Sequence, residues 1–177
     1  SPSLGTIKDD DPFELIPDDQ KFESATLENL EGMLSAIKDS GEKVLIILDD
    51  VIAETRGKGN MAVENLLQKI FFNRRHLAGA GGNASVIATS QTYFKICPKL
   101  RKAASHYIFY ENRHKKEQDS IFDEIILLPH KEYMDVFRYV FNKKYNFMYI
   151  DTTRGMDDMI FKNFNKLTID SPNIDKF

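Results

Sequence analysis

The chain has 177 residues, is 42% hydrophobic and carries a net charge of -3, which suits one ordinary domain with a filled core and excludes a dense basic arm. Its one cysteine, Cys97, excludes an internal disulfide framework and fits a reducing compartment, with the thiol itself read as a small buried side chain. No apolar run approaches the roughly 18 residues of a membrane span, and no basic segment leads into an apolar signal core, so a soluble, unexported protein is expected.

Charge is unevenly spread. Residues 1–50 hold 4 Lys+Arg against 13 Asp+Glu, a balance of -9, and the remainder holds 20 against 14, a balance of +6. The downstream excess is interleaved with acids, so a solvated mixed surface competes with contact to a polyanion. Pro2, Pro12, Pro17 and the run Asp9–Asp11 predict mostly loop over residues 1–25.

Leu27, Leu30, Leu34 and Ile37 recur at helical spacing, and Gly41 stands where a left-handed helix end is expected. Residues 44–48 (VLIIL) are uniformly apolar and β-branched, which predicts a strand of a parallel sheet buried on both faces. A loop with Arg56, Gly57, Lys58 and Gly59 leads to a second helix marked by Val63, Leu66, Leu67, Ile70 and Phe71, ending at Asn73-Arg74-Arg75-His76. Glycines 79, 81 and 82, read as a flexible connector, precede a second buried strand at 85–90, and 106–110 forms a third strand of the same sheet. A short helix is expected over Pro98–Ala104 and a longer one through Tyr133, Phe137, Val140 and Phe141. Residues 147–150 and 166–169 close the chain as strands, paired as a hairpin.

The informative chemistry lies in LIILDD, residues 45–50. A buried strand there delivers two adjacent carboxylates, Asp49 and Asp50, to the end of a sheet where ligands bind. Burying both requires compensation, and magnesium–nucleotide supplies it: the first acid holds Mg²⁺ through water, and the second orients the water that attacks the γ-phosphate. The competing reading is that the two acids merely begin a turn. The next strand, SVIATSQ, ends at Gln91, whose amide could sense phosphate or hold the attacking water, or could be an ordinary polar strand end. Arg74, Arg75 and Arg101 are the options for a guanidinium that stabilises transferred phosphoryl charge, although cations closing a helix also suit its dipole and are commonly solvated. His76, His106, His114 and His130 show no metal spacing with Cys97, and no G-x-S-x-G elbow occurs. No G-x-x-x-x-G-K-[ST] loop occurs either. Paired acids can also hold two metals in a nuclease, for which Asp151 is the one comparable strand-end acid.

LIILDD, the helix ending NRRH and SVIATSQTYFKICPKLRKAASHYIFY together resemble the poxvirus-type genome-packaging ATPases of the FtsK/HerA superfamily of P-loop NTPases. The resemblance spans roughly residues 1–170. It implies an α/β fold of the RecA/ASCE kind, a mostly parallel sheet flanked by helices with a C-terminal β-hairpin. Residues 1–177 would form a single incomplete domain, with Ser1-Pro2-Ser3 ending the second strand and the Walker A strand, loop and first helix upstream. Asp49 and Asp50 become the Walker B pair, with Asp49 on the metal, Gln91 the sensor and Arg75 the arginine finger, ahead of Arg74 and Arg101. ATP and Mg²⁺ are the implied cofactors. Double-stranded DNA, a homo-oligomeric ring and capsid or portal components are the implied partners. The implied setting is the host cytoplasm, in a viral factory, or the virion. The alternative is a scaffold or pseudo-ATPase that keeps the fold without nucleotide.

Overall fold

The computed structural model describes residues 13–50, 60–126, 128 and 130–168. The chain divides into two compact units, Ser1–Ala103 and Ala104–Phe177. The loop residues Arg56 to Gly59, the Ser1–Ser3 segment and Ile169 lie outside the described residues.

In the first unit, the expected loop over residues 13–25 is broken only by a 3-10 turn at Asp18–Gln20. Helix α1 (Leu27–Ile37) begins at Thr26, whose hydroxyl accepts the Asn29 N–H at 3.2 Å and satisfies one orphan donor of the first turn. It stops at Lys38, and the left-handed residue after it is Asp39 (φ 58°) rather than Gly41, since Asp tolerates that region. Gly41 is itself left-handed (φ 71°) two residues on, and its N–H donates to the Ala78 carbonyl at 2.7 Å.

Strand β1 (Lys43–Leu48), helix α2 (Met61–Asn73) and strand β2 (Asn83–Ala88) form a β-α-β unit whose strands pair in parallel from Lys43↔Asn83 to Leu48↔Ala88. Helix α3 (Pro98–Ala103) completes the unit. Leu30 of α1, Leu67, Ile70 and Phe71 of α2 and Leu100 of α3 share one core with Ile46, Leu48 and Ala84 of the strands. Burying Leu67 or Ile70, each 0% exposed, contributes about 1.5–3 kcal/mol per side chain.

Alternation decides the sheet's two faces. Side chains on a strand point alternately up and down, so the residues between the buried ones, Leu45 (54% exposed), Ile47 (39%) and Ile87 (50%), stand on the other face, open to solvent. Burial of both faces was expected from the uniform run; the helices cover one.

The glycine-rich turn is a steric requirement more than a flexible connector. A Cβ on Gly82 would lie 2.6 Å from the Glu42 carbonyl oxygen and 2.7 Å from the Gly41 carbonyl carbon, so no side chain fits where this turn crosses the chain leaving α1. Gly82→Ala is expected to lower unfolding stability by about 1–3 kcal/mol in denaturant titration. Gly32→Ala, mid-helix with nothing within 4 Å of the new methyl, is expected to raise it by roughly 0.5–1 kcal/mol. Equal effects at the two sites would refute the close-approach explanation.

The second unit corrects the expected topology. Strand β3 (His106–Tyr110) does not extend the parallel sheet; it pairs antiparallel with β4 (Phe147–Asp151), in a four-stranded sheet ordered β3-β4-β5-β6 with β5 at Ile160–Lys162 and β6 at Asn165–Lys166. The physical reason is visible in β3's pattern: alternate residues are exposed, which suits a sheet with one solvated face. The final hairpin also differs, because β4 pairs with β5, and Asn165–Lys166 pairs with β5 in turn. Asn163 turns the chain between β5 and β6 at φ 54°, exchanging bonds with the Phe147 backbone at 2.8 and 3.0 Å.

Helix α4 (Lys115–Ile121), continued by a π-helical turn at Phe122–Ile126, and helix α5 (His130–Val140) accompany this sheet. Tyr133, 2% exposed, packs its ring 4.8 Å from that of Phe122, and burial, helped by Asp119, pushes its phenol up to about 12. The expected helix is present through Tyr133, Phe137 and Val140, and Phe141 falls in the turn just beyond its end.

Candidate functional site

The parallel register places the ends of β1 and β2 side by side, and the polar residues that follow them meet. The last ladder bond runs from Thr89 N–H to the Leu48 carbonyl at 3.0 Å. Beyond it, the Thr89 hydroxyl accepts the Asp50 backbone N–H at 2.9 Å and donates to Asp49 Oδ1 at 2.7 Å. Gln91 Nε2 donates to Asp50 Oδ2 at 2.7 Å. One hydroxyl thus fixes both acids, using its donor and acceptor functions together.

Asp50 sits at φ 54°, a left-handed conformation that Asp adopts more readily than most residues and that a surrounding network must hold. The Thr89–Asp50 bond is that restraint. Asp49 and Asp50 are half-buried and Gln91 is exposed, so the cluster opens to solvent. The donors named here, a hydroxyl, a backbone N–H and an amide, are neutral. Among the described residues, Asp50 Oδ1 and the Gln91 carbonyl oxygen take no hydrogen bond. Both acceptors belong to the hydrogen-bonded Asp50–Gln91 pair, so each can accept a bond from water.

The expected convergence of Asp49, Asp50 and Gln91 is present. Thr89 is an additional member that the sequence alone does not mark, because its role depends on the register that sets it opposite Asp49. Ser90 is turned away into a local bend, with its hydroxyl on the Thr92 carbonyl at 2.9 Å.

No protein-family model, curated protein or solved structure matches the chain. The chemistry of the site alone supports a functional reading.

The three arginines have different fates. Arg74 Nη1 donates to the Phe71 carbonyl at 2.9 Å, capping the end of α2. Arg101 is 8% exposed with its guanidinium 4.3 Å from the centre of the Tyr93 ring, a buried stacking position. Arg75 is exposed, and its side chain makes no hydrogen bond or ion pair among the described residues. Arg74 and Arg75 precede the start of β2, whereas the acids follow the end of β1. The six-residue strands separate them by roughly 20 Å. Neither can reach the acids of its own unit.

Magnesium takes one or two carboxylates and completes its shell with water and phosphate oxygens, so Asp49 and Asp50 fit the hydrated side of such an ion. Among the described residues no group of three or more His, Cys, Asp or Glu gathers as a metal cage. The sequence contains no G-x-x-x-x-G-K-[ST] phosphate cradle.

Asp151, in the second unit, is a structural acid. Its oxygens accept the Thr153 hydroxyl at 2.6 Å and Arg154 Nε at 2.7 Å, and these bonds, Thr153 first, lower its carboxyl from the ordinary 3.8 to about 2. A depressed folded-state value stabilises the fold above the ordinary value, and this stabilisation is lost as pH falls through the folded one. Unfolding of the second unit should therefore become easier between about pH 4 and pH 2, and Asp151→Asn should flatten that dependence in pH-resolved thermal melts. An unchanged slope would contradict it.

Proposed function

We propose that the complete protein hydrolyses ATP to translocate double-stranded DNA during viral genome packaging, with the cluster at the ends of β1 and β2 as its water-orienting and metal-facing side. The observation that carries this reading is the bonding of Asp50 to Gln91 and of Asp49 to Thr89 at the carboxyl ends of paired parallel strands, where α/β sheets bind ligands. Support also comes from the solvent-open Leu45, Ile47 and Ile87, because parallel sheets are ordinarily covered on both faces and extend beyond two strands.

Asp49 would hold Mg²⁺ through water, its orientation set by the Thr89 hydroxyl. Asp50 would accept a hydrogen bond from the attacking water, and the Gln91 carbonyl oxygen would accept the second while its amide nitrogen keeps Asp50 in place. Bound magnesium–ATP supplies the electrophilic phosphorus and neutralises charge on the transferred group. Arg75, exposed and remote from its own unit's acids, is suited to a neighbour's γ-phosphate in a ring, where it would couple successive hydrolysis events. Among the described residues no helix is long and apolar enough to cross a membrane.

Because the G-x-x-x-x-G-K-[ST] cradle is missing from these 177 residues, the purified chain should show no tight magnesium-dependent ATP binding in calorimetry and no turnover, whereas the complete protein should show both. Tight binding by residues 1–177 would contradict the division of the site. A complete protein that binds no ATP would favour the scaffold reading instead.

A further inference from the structure

One face of the second unit's sheet is taken up by Met148, Ile150 and Ile160, all buried. The other presents rings. In register across it stand Tyr110 opposite Phe147 and Ile108 opposite Tyr149; Phe161, opposite Tyr149 on the same face, is itself buried at 6% exposure. Phe164, at the β5–β6 turn, lies edge-on to Phe147 (centroids 5.1 Å apart) and to Tyr149 (5.8 Å). Tyr110 is 63% exposed, Ile108 52% and Phe164 71%, more apolar surface than an isolated side chain leaves by chance.

The polar groups bordering this face are chiefly cations or hydrogen-bond donors. Arg154 stands 5.1 Å over the Phe161 ring, His106 stacks on Tyr149, and Lys166 pairs across from Phe161. The nearby carboxylates are already engaged, Asp151 by Arg154 and Asp158 by Lys166, and both cations remain about half exposed at their side chains (51% and 46%).

We propose that this face binds single-stranded nucleic acid, with bases stacked on the rings of Tyr110, Phe147, Tyr149 and Phe164 and phosphates shared with Arg154 and Lys166. Rings two residues apart on β4, Phe147 and Tyr149, stand about 6.8 Å apart along the strand, within the stride of consecutive unstacked nucleotides. Aromatic side chains on one face of an antiparallel sheet offer a π-surface that accepts any base, while neighbouring cations meet the backbone. A duplex hides its bases from such a surface. Because Arg154 and Lys166 already hold carboxylates, phosphate gains little net charge, so affinity should fall in the range of about 1–100 µM near 0.1 M salt. The inference is independent of the ATPase reading, since it needs neither nucleotide nor the first unit's acids.

Fluorescence anisotropy of the 177-residue chain with a labelled 15-nucleotide oligothymidylate tests it against a blunt duplex of equal length. Single strand should bind at least about tenfold tighter than duplex, and Phe164→Ala combined with Tyr110→Ala should weaken it at least about tenfold with an unchanged melting curve. Phe164→Trp, which keeps a stacking ring, should retain binding and guards against a fold defect in the double variant. Equal affinity for duplex, no binding up to about 1 mM oligonucleotide, or a double variant within about twofold of wild type would each overturn the proposal. So would a chain that dimerises through this face, seen as a sedimentation dimer broken by Phe164→Asp with no DNA binding.

Discussion

Arg75→Ala in the full-length protein is expected to reduce DNA-stimulated ATP turnover by about 10³–10⁵-fold while leaving the unfolding midpoint unchanged. The expectation follows from its exposure and its lack of side-chain hydrogen bonds or ion pairs among the described residues: a surface arginine in that state contributes within about 0.5 kcal/mol to stability, so any large catalytic loss must come from an interaction formed elsewhere. The neighbouring arginines provide the contrast. Arg74→Ala removes a cap from the Phe71 carbonyl, and Arg101→Ala removes a buried side chain stacked on Tyr93; both should lower stability. A turnover loss at Arg74 or Arg101 that tracks a lower melting temperature would be structural. Near-wild-type turnover in all three variants would return these side chains to capping, packing and solvation.

Asp50→Asn should cost about 10²–10⁴-fold in turnover, the usual contribution of a positioned group that handles the proton of a nucleophile. The amide is isosteric and the bond to the Thr89 hydroxyl is donated by the backbone N–H of residue 50, so the left-handed turn should survive. What changes is the partner of Gln91: its Nε2 would face either an amide oxygen or an amide N–H, and the Oδ2 that accepted it would no longer carry charge. Gln91→Ala should act in the same direction by a smaller factor, because Asp50 keeps its backbone anchor. Thr89→Val should disturb both acids at once, by removing the donor to Asp49 and the acceptor of the Asp50 N–H.

Periodicity and strand-end chemistry carried the first unit. Leu27 to Ile37 and Val63 to Phe71 are helices, and the two apolar runs are parallel neighbours whose polar ends meet. That pairing needed only a β-α-β rhythm and the alignment it imposes. HYIFY is short and apolar enough to pass for a buried parallel strand, and only the tertiary pairing with Phe147–Asp151 reveals its exposed face. β5 escaped notice since three residues, Ile160–Lys162, make no periodic signal, and the helices at 115–126 lack an apolar stripe long enough to read. Uniform apolarity in 44–48 misled in another way: it reports that both faces are apolar, not that both are covered. Thr89 could not be singled out without the register, because its role depends on facing Asp49 across the sheet.

The most direct measurement is the identity of the nucleotide held by the full-length Asp50→Asn protein after incubation with magnesium–ATP, recovered by rapid filtration and resolved as ATP or ADP. Wild type should be recovered with ADP, and Asp50→Asn should bind nucleotide to the same occupancy yet retain it as ATP. ADP at the wild-type proportion on Asp50→Asn would contradict the assignment of the Asp49–Asp50–Gln91 cluster to ATP hydrolysis.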